Sequence, residues 1–274
     1  MRRYEAPAKV NLSLHVQPPA TNGYHPVESL VQTIEWCDIL EVDDSEETTL
    51  TIEGADLDPD DNMVTRAFEK AGVERVALTL TKNIPVAAGL GGGSSDAAAA
   101  LVAAVQHGKL DRETVSRLAP ELGADVALFL EGGTQIMTGF GEDLEVQQPL
   151  DGFAVAVVVP RFVLKTADVY RRWDEMEGPE GDSAVQNNLP PVLRDVMPMR
   201  NDLLPAALSL EPELGDFMAD VRSAWGGPVL LTGSGSACFG FFASESEAAD
   251  AALAIPLTRA AVGVVLRDHG VVEV

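Results

Sequence analysis

Cysteine, lysine and aromatic residues are scarce in this 274-residue chain, and long apolar runs are missing from it. Its two cysteines, Cys37 and Cys238, are too few for a disulfide framework and have no metal-like spacing or companion cluster. Both read as ordinary buried thiols. No apolar run approaches the roughly 18 residues that a membrane helix needs. Arg2 and Arg3 resemble the basic start of a signal peptide, but Glu5, Pro7, Lys9 and Asn11 stand where its apolar segment should follow, so a cytoplasmic chain is expected. Basic residues number 19 against 43 acidic ones, a formal charge of −24 that argues against nucleic acid or an anionic membrane as partner. Lysine is confined to Lys9, Lys70, Lys82, Lys109 and Lys165, so each lysine beside a motif carries weight. A polyphosphate bound here must be held by backbone amides, a few placed cations and a divalent metal, against the sign of the overall field.

What is present is a glycine loop running into a helix: Pro85-Val86-Ala87-Ala88-Gly89-Leu90-Gly91-Gly92-Gly93-Ser94-Ser95-Asp96. Upstream, Val76, Leu78 and Leu80 alternate with Ala77, Thr79 and Thr81, the period of a half-buried strand, and Pro85 ends it. Downstream, Ala97 to Gln106 is rich in the best helix former, Leu101 and Val105 share a face, Gly108 is a stop, and Ser94 or Ser95 is expected to cap the start. Glycines permit close approach and unusual backbone angles, while free amides and the helix dipole favour an anion such as a nucleotide triphosphate. A flexible Gly/Ser linker is the plain alternative. A Walker loop is excluded because no lysine follows Gly93, and the Rossmann pattern lacks its third glycine in register and the second strand before an acidic residue.

Strands are expected around residues 4 to 16, 27 to 42 and 49 to 53, a helix near 62 to 71, and another near 111 to 122 with Asp125 after it. Turns follow at Gly132-Gly133 and Gly139-Phe140-Gly141-Glu142. A boundary at roughly 145 to 152 divides the chain into domains 1–148 and 149–274. The second half opens on the apolar run Phe153 to Val159, followed by helices near 166 to 176, 212 to 225 and 245 to 254 and strands at 228 to 232, 237 to 243 and 262 to 267. The alternation predicts an α/β or α+β fold.

Two further segments matter. In Ala6-Pro7-Ala8-Lys9-Val10-Asn11-Leu12, a strand puts Lys9 and Asn11 on one face, facing either a cleft or solvent, with Asn22-Gly23-Tyr24-His25 a short turn later. Leu230-Leu231-Thr232-Gly233-Ser234-Gly235-Ser236-Ala237 joins two apolar strands through a second Gly/Ser loop, which alone would be a simple turn.

Together with Leu122-Gly123-Ala124-Asp125-Val126, these segments resemble the GHMP kinase superfamily over almost the whole chain. Pro7-Ala8-Lys9-Val10-Asn11-Leu12 and Gly23-Tyr24-His25 resemble, within it, the branch acting on a cytidine diphosphate conjugate of methylerythritol. The resemblance implies an α+β fold with a ribosomal-protein-S5-like N-terminal domain, containing a left-handed β-α-β crossover, and a ferredoxin-like C-terminal domain. It implies ATP-dependent phosphorylation of the 2-hydroxyl of the methylerythritol unit in isoprenoid precursor synthesis, with ATP and Mg²⁺ as cofactors. Asp125 is then the base and Lys9 its neighbour at the reacting hydroxyl. Asn11 binds substrate near the reacting end. Tyr24 and His25 read cytosine, and Tyr170 covers the other face of the base, although Tyr170 also reads as a plain amphipathic-helix residue. Pro85, Val86, Ala87, Ala88, Gly89, Leu90, Gly91, Gly92, Gly93, Ser94 and Ser95 wrap the ATP phosphates, magnesium bridges phosphate oxygens, and Ser95 is a candidate to approach either. Gly233 and Ser234 close the site from the second loop. Asp96 is ambiguous, since early in a helix it suits the dipole, yet beside a triphosphate it would repel unless magnesium or solvent intervenes. The metal ligands and the oligomeric state are left open.

Several residues depart from the family pattern. Asn22 stands where Asp is common, the usual upstream arginine is absent from Pro18-Pro19-Ala20-Thr21, and Ala127 replaces a proline. These put substrate-loop detail in doubt more than reaction type. Rival readings are another GHMP small-molecule kinase, to which Tyr24 with His25 speak against, and a nucleotide-binding sensor without turnover, which would not need both Lys9 and Asp125. His15, His107 and His269 have no motif around them.

Overall fold

The computed structural model describes every residue except 22, 107–109 and 195, so the Asn22 departure, the His107 reading and the Gly108 stop lie outside the described residues. In chain order the elements are β1 (Arg2–Asn11), β2 (His15–Val16), β3 (Val27–Asp44), β4 (Thr49–Glu53), α1 (Met63–Ala71), β5 (Val76–Thr81), α2 (Gly92–Gln106), α3 (Arg112–Leu122), α4 (Val126–Glu131), β6 (Thr134–Thr138) and β7 (Asp143–Val146). There follow β8 (Ala154–Pro160), α5 (Thr166–Glu175), α6 (Leu204–Leu210), α7 (Glu213–Trp225), β9 (Leu230–Leu231), β10 (Cys238–Phe242), α8 (Glu245–Leu253), β11 (Thr258–Val265) and β12 (Val272–Glu273).

The strands form two sheets. The first is eight-stranded, with β3 as its spine. β1 lies antiparallel along one side of β3, while the other side pairs with β6 over Ser29–Gln32 and with β5 over Ile39–Asp44. β4 and β5 are parallel and joined through α1. The second sheet has the order β11-β8-β10-β9, and its described pairs are all antiparallel. With helices between β8 and β9 and between β10 and β11, that order is the ferredoxin-like arrangement. β12 returns to pair with β1, so the chain ends in the sheet where it began.

Local chemistry explains the helix starts. Asn62 and Asp111 cap α1 and α3, each accepting an amide of the first turn. α2 departs from expectation: it begins at Gly92, inside the glycine run, and not after a serine cap. The amide of Ser95 donates to the Gly91 carbonyl at 3.0 Å, so both serines already lie in the first turn. A Cβ on Gly92 would come within 3.2 Å of Ile84 Cγ2 and 3.3 Å of Asp38 Oδ2 and Lys82 Nζ, a tight fit that favours glycine at the start of the helix. Ala97 to Ala100 are fully buried against the first sheet and its neighbouring helices, and their small side chains let the helix axis come close.

Other expectations shift in detail. The first strand ends at Asn11, and β11 spans Thr258–Val265, not residues 262 to 267. The short elements α4, β6, β7, α6 and β12 carry no sequence period long enough to read.

Candidate active site

The elements converge on one cavity of about 1030 Å³, at the upper end of what a drug-sized ligand needs and lined by residues of both sheets and their loops. Its wall includes Lys9, Asn11, Tyr24, His25, Pro85 to Ser94, Asp125, Tyr170, Gly233 and Ser234. Of the residues expected at the site, Ser95 alone is missing from that wall. Its side chain is fully buried and its amide is taken by Gly91, so the hydroxyl facing the cavity is that of Ser94.

Lys9 and Asn11 are successive same-face residues of β1, both almost fully buried. The Lys9 ammonium donates to Asn11 Oδ1 and stands 3.8 Å from Asp125 Oδ2. Burial pulls the Lys9 ammonium below its usual range, and the Asp125 carboxylate opposes that pull. Asp125 occupies the residue before α4 but makes no capping bond there, which leaves its carboxylate to the cavity. Asn11 is fixed on both sides, its amide group donating to Ser29 Oγ at 2.8 Å and its backbone N–H to Thr232 Oγ1 at 3.0 Å.

The glycine loop is oriented through its carbonyls. Ala88 O accepts from Ala237 N at 3.0 Å, Gly89 O from Thr232 Oγ1 at 3.2 Å, and Leu90 O from Lys9 N at 3.0 Å. In a trans peptide the next residue's N–H points the opposite way, so these bonds turn the amides of Gly89, Leu90 and Gly91 away from the packed interior. Val86 and Ala87 form a turn, and among the described residues no amide from Gly89 to Ser94 is seen to donate to a protein acceptor. Gly89 is required by geometry: its φ is +79°, and a Cβ would stand 2.2 Å from the Thr232 carbonyl oxygen. The second Gly/Ser loop packs directly on the first, with Gly233 beside Gly89 and held by Asn201 Nδ2 to its carbonyl at 2.7 Å.

Beneath the loop is a buried charge cluster that the sequence did not signal. Lys82 donates to Asp38, and to Asp96 Oδ2 at 2.6 Å, while Asp38 Oδ1 also accepts the amides of Asn83 and Ile84 at 2.6 and 2.8 Å. Asp96 is thus paired with Lys82 and, like it, also lines the cavity beside the glycine loop. Its Oδ1 has no partner. Burial pushes the Asp96 carboxyl up to about 7, against the pull of Lys82. At Lys82 burial acts downward, but the two carboxylates outweigh it and the net direction is up. We assign one balanced pair, Lys82 with Asp38, and a second carboxylate that one ammonium cannot also neutralise.

The far end of the cavity is aromatic. His25 is a buried side chain whose Nδ1 meets Gln17 O at 3.0 Å and whose Nε2 meets Asp174 Oδ2 at 3.2 Å. Its ring lies 5.2 Å from that of Tyr170 and edge-on to Trp173 at 5.3 Å. A base stacked between His25 and Tyr170 would need about twice the ~3.5–4.0 Å contact of carbon atoms. These two rings therefore form one wall, not two opposite faces. Tyr24, 70% exposed, also lines the cavity. Burial, helped by the charge of Asp125, raises the Tyr170 hydroxyl to about 12.

Away from the cavity, Glu5, Glu35 and Cys37 bring ligand atoms within 4.8 Å of one another, a cluster not visible in the sequence. Arg267 Nη1 already supplies the cation there, at 2.9, 2.8 and 3.2 Å from the three. Cys37 is only half-buried, but burial still raises its thiol to about 12. Cys238 is buried, as expected.

A glycine loop whose amides face a shared cavity, beside a lysine–aspartate pair, defines a small-molecule kinase of the GHMP fold. Residues 62–133 match the family model described as GHMP kinases N terminal domain. The chain is 38% identical over 262 residues to a 4-diphosphocytidyl-2-C-methyl-D-erythritol kinase of Paramagnetospirillum magneticum, covering 90% of this chain and 91% of that protein. It is 36% identical over 263 residues to one of Granulibacter bethesdensis, covering 90% and 87%. A crystal structure of 4-(cytidine 5'-diphospho)-2C-methyl-D-erythritol kinase superposes with a TM-score of 0.77 at 35% identity, covering 96% of this chain and 98% of the other. The chain belongs to the 4-diphosphocytidyl-2-C-methyl-D-erythritol kinase family. A homoserine kinase from Cytophaga hutchinsonii, at 19% identity and a TM-score of 0.68 over 100% of this chain and 97% of its own, shares the fold.

Proposed function

We propose that this chain transfers the γ-phosphoryl group of ATP to the 2-hydroxyl of 4-diphosphocytidyl-2-C-methyl-D-erythritol, giving the 2-phosphate and ADP. The observation that carries this reading is the placement of Lys9 and Asp125 in the same cavity as the open loop amides and the His25–Tyr170 wall.

Phosphoryl transfer asks mainly for alignment and charge stabilisation. The substrate oxygen forms a bond to the γ-phosphorus while the bond from that phosphorus to the β,γ-bridging oxygen breaks, its electron pair leaving with ADP. The hydroxyl proton passes to the Asp125 carboxylate. Lys9, 3.8 Å from that carboxylate, orients it and offsets charge gathering on the transferred group. Asn11 fixes the acceptor near its reacting end, and the amides of residues 89 to 94 cradle the phosphates at the α2 N-terminus. Tyr24, with the His25–Tyr170 wall, takes the cytosine.

Asp61, Asp96, Asp125 and Asp174 line the cavity, and the metal-ligating cluster found among the described residues lies elsewhere, which fits a magnesium ion that would arrive with the triphosphate, with the Ser94 hydroxyl and Asp96 as side chains that would help hold it. Bound there, magnesium neutralises phosphate charge. The division into domains 1–148 and 149–274 is supported by the two sheets, although β12 returns to the first and isolated bridges link Leu14 to Asn201 and Ile34 to Leu266. Among the described residues no helix is long and apolar enough to cross a membrane, and the charge of −24 speaks against nucleic acid as a partner.

The test is ADP release in a coupled assay with Mg-ATP across candidate alcohols: the cytidyl acceptor, homoserine and mevalonate. Turnover only with the first is expected. Preference for either of the others overturns the acceptor assignment, and no turnover with any overturns the reaction.

A further inference from the structure

We infer that Arg259 is a positioning residue for the nucleotide: reaching from the second sheet, it holds the turn at Val86 and Ala87 so that loop amides, not carbonyls, face the triphosphate. This rests on the reading that the loop binds ATP.

The observations converge from both sides of the contact. On β11, Thr258 pairs with Pro160 and Ala260 with Val159, so Arg259 is the extra residue of a bulge. A bulge re-aims the side chain it carries, and such irregularities gather beside active sites. Leu257, two residues earlier, has a φ of +62°, a costly conformation for a branched side chain. The guanidinium so directed donates Nη1 to Val86 O at 2.9 Å and Nη2 to Ala87 O at 3.1 Å. Ala87 itself has a φ of +51°, so the turn it occupies is strained and needs an external hold.

The loop's carbonyls divide accordingly. Those of Ala88 to Leu90 are held by packed backbone and Thr232, whereas those of Val86 and Ala87, at the exposed start of the loop, are held by one side chain. Rotation of either peptide would replace an N–H by a carbonyl oxygen at the edge of the cavity. An approaching polyphosphate would then meet a partial negative charge in place of a donor. Arginine suits the task because its planar fork reaches two carbonyls at once, where a lysine ammonium is a single point.

Full-length Arg259→Gln and Arg259→Lys variants are compared with the wild type by calorimetric titration with Mg-ATP, without acceptor, and then by steady-state kinetics. In Arg259→Gln the Kd and KM for ATP should rise about tenfold, the scale of losing hydrogen bonds from a partly exposed charged donor. Arg259→Lys should recover part of the loss, and KM for the acceptor and kcat at saturating ATP should stay unchanged. Unaltered ATP affinity in Arg259→Gln overturns the inference, and so does an equal rise in KM for the acceptor, which would mean general loosening. A wild type that binds ATP but ignores the cytidyl acceptor overturns the functional reading and leaves this comparison intact; one that binds no ATP overturns both.

Discussion

Lys9 Nζ and Asp125 Oδ2 stand 3.8 Å apart, closer than any feature of their local sequences would suggest. One sits on the first strand, the other between two helices, and α2, packed against both β1 and α4, brings them to the same cavity. Removing the base while keeping its shape isolates its role. Asp125→Asn should lower kcat by at least about a hundredfold, the typical reach of general-base catalysis, with ATP affinity by calorimetry nearly unchanged. Normal turnover would mean that another group takes the proton.

The aromatic wall should separate the two substrates. His25→Ala removes two hydrogen bonds and two ring contacts at one end of the cavity. The KM for the cytidyl acceptor should rise by roughly tenfold or more while that for ATP stays put. Equal increases in both would remove base recognition from His25.

Two glycines of the loop should respond in opposite senses. A methyl group at Gly89 collides with the Thr232 carbonyl at a positive φ, so Gly89→Ala should cost at least about 2 kcal/mol in urea unfolding. At Gly93 the nearest atom to a new Cβ is Met63 Sδ at 3.5 Å, an ordinary contact. There the substitution should leave stability unchanged or raise it by up to about 1 kcal/mol, the gain in helix propensity.

Asp96 should leave a signature in the pH dependence of stability. Its carboxyl rises from 3.8 to about 7 on folding, so between those values the native chain keeps a proton that the unfolded chain releases. The stability this group contributes is therefore complete below about pH 4 and lost as pH climbs through 7. Asp96→Asn removes the titration. The stability of the variant relative to wild type should increase from about pH 4 to about pH 7 and level off above it, as read from urea midpoints. A constant difference would show that Asp96 does not titrate in that window.

The parts of the site legible in the sequence were those written in short contiguous patterns. Alternation on β1 put Lys9 and Asn11 on one face, and strand, glycines and alanines in succession marked the loop between β5 and α2. Lys82 was noticed only as one of few lysines, because its partners Asp38 and Asp96 lie on separate elements and no period links them. Asn201 and Arg259 act through long-range contacts, one to the second Gly/Ser loop and the other through a bulge, and a bulge has no sequence signal without its partner strand. The start of α2 was misjudged for a related reason. Glycine is a poor helix former, yet at Gly92 close packing against Ile84, Asp38 and Lys82 favours it.

The open amides of residues 89 to 94 also make the loop a reporter of its own occupancy. With no protein acceptor, these N–H groups should exchange with deuterated solvent within seconds in the free chain, although the helix that follows them is buried and slow. Saturating Mg-ATP should slow that segment selectively, whereas the cytidyl acceptor alone should leave it fast. The same stretch of backbone that would bind phosphate thus records, peptide by peptide, when phosphate is there.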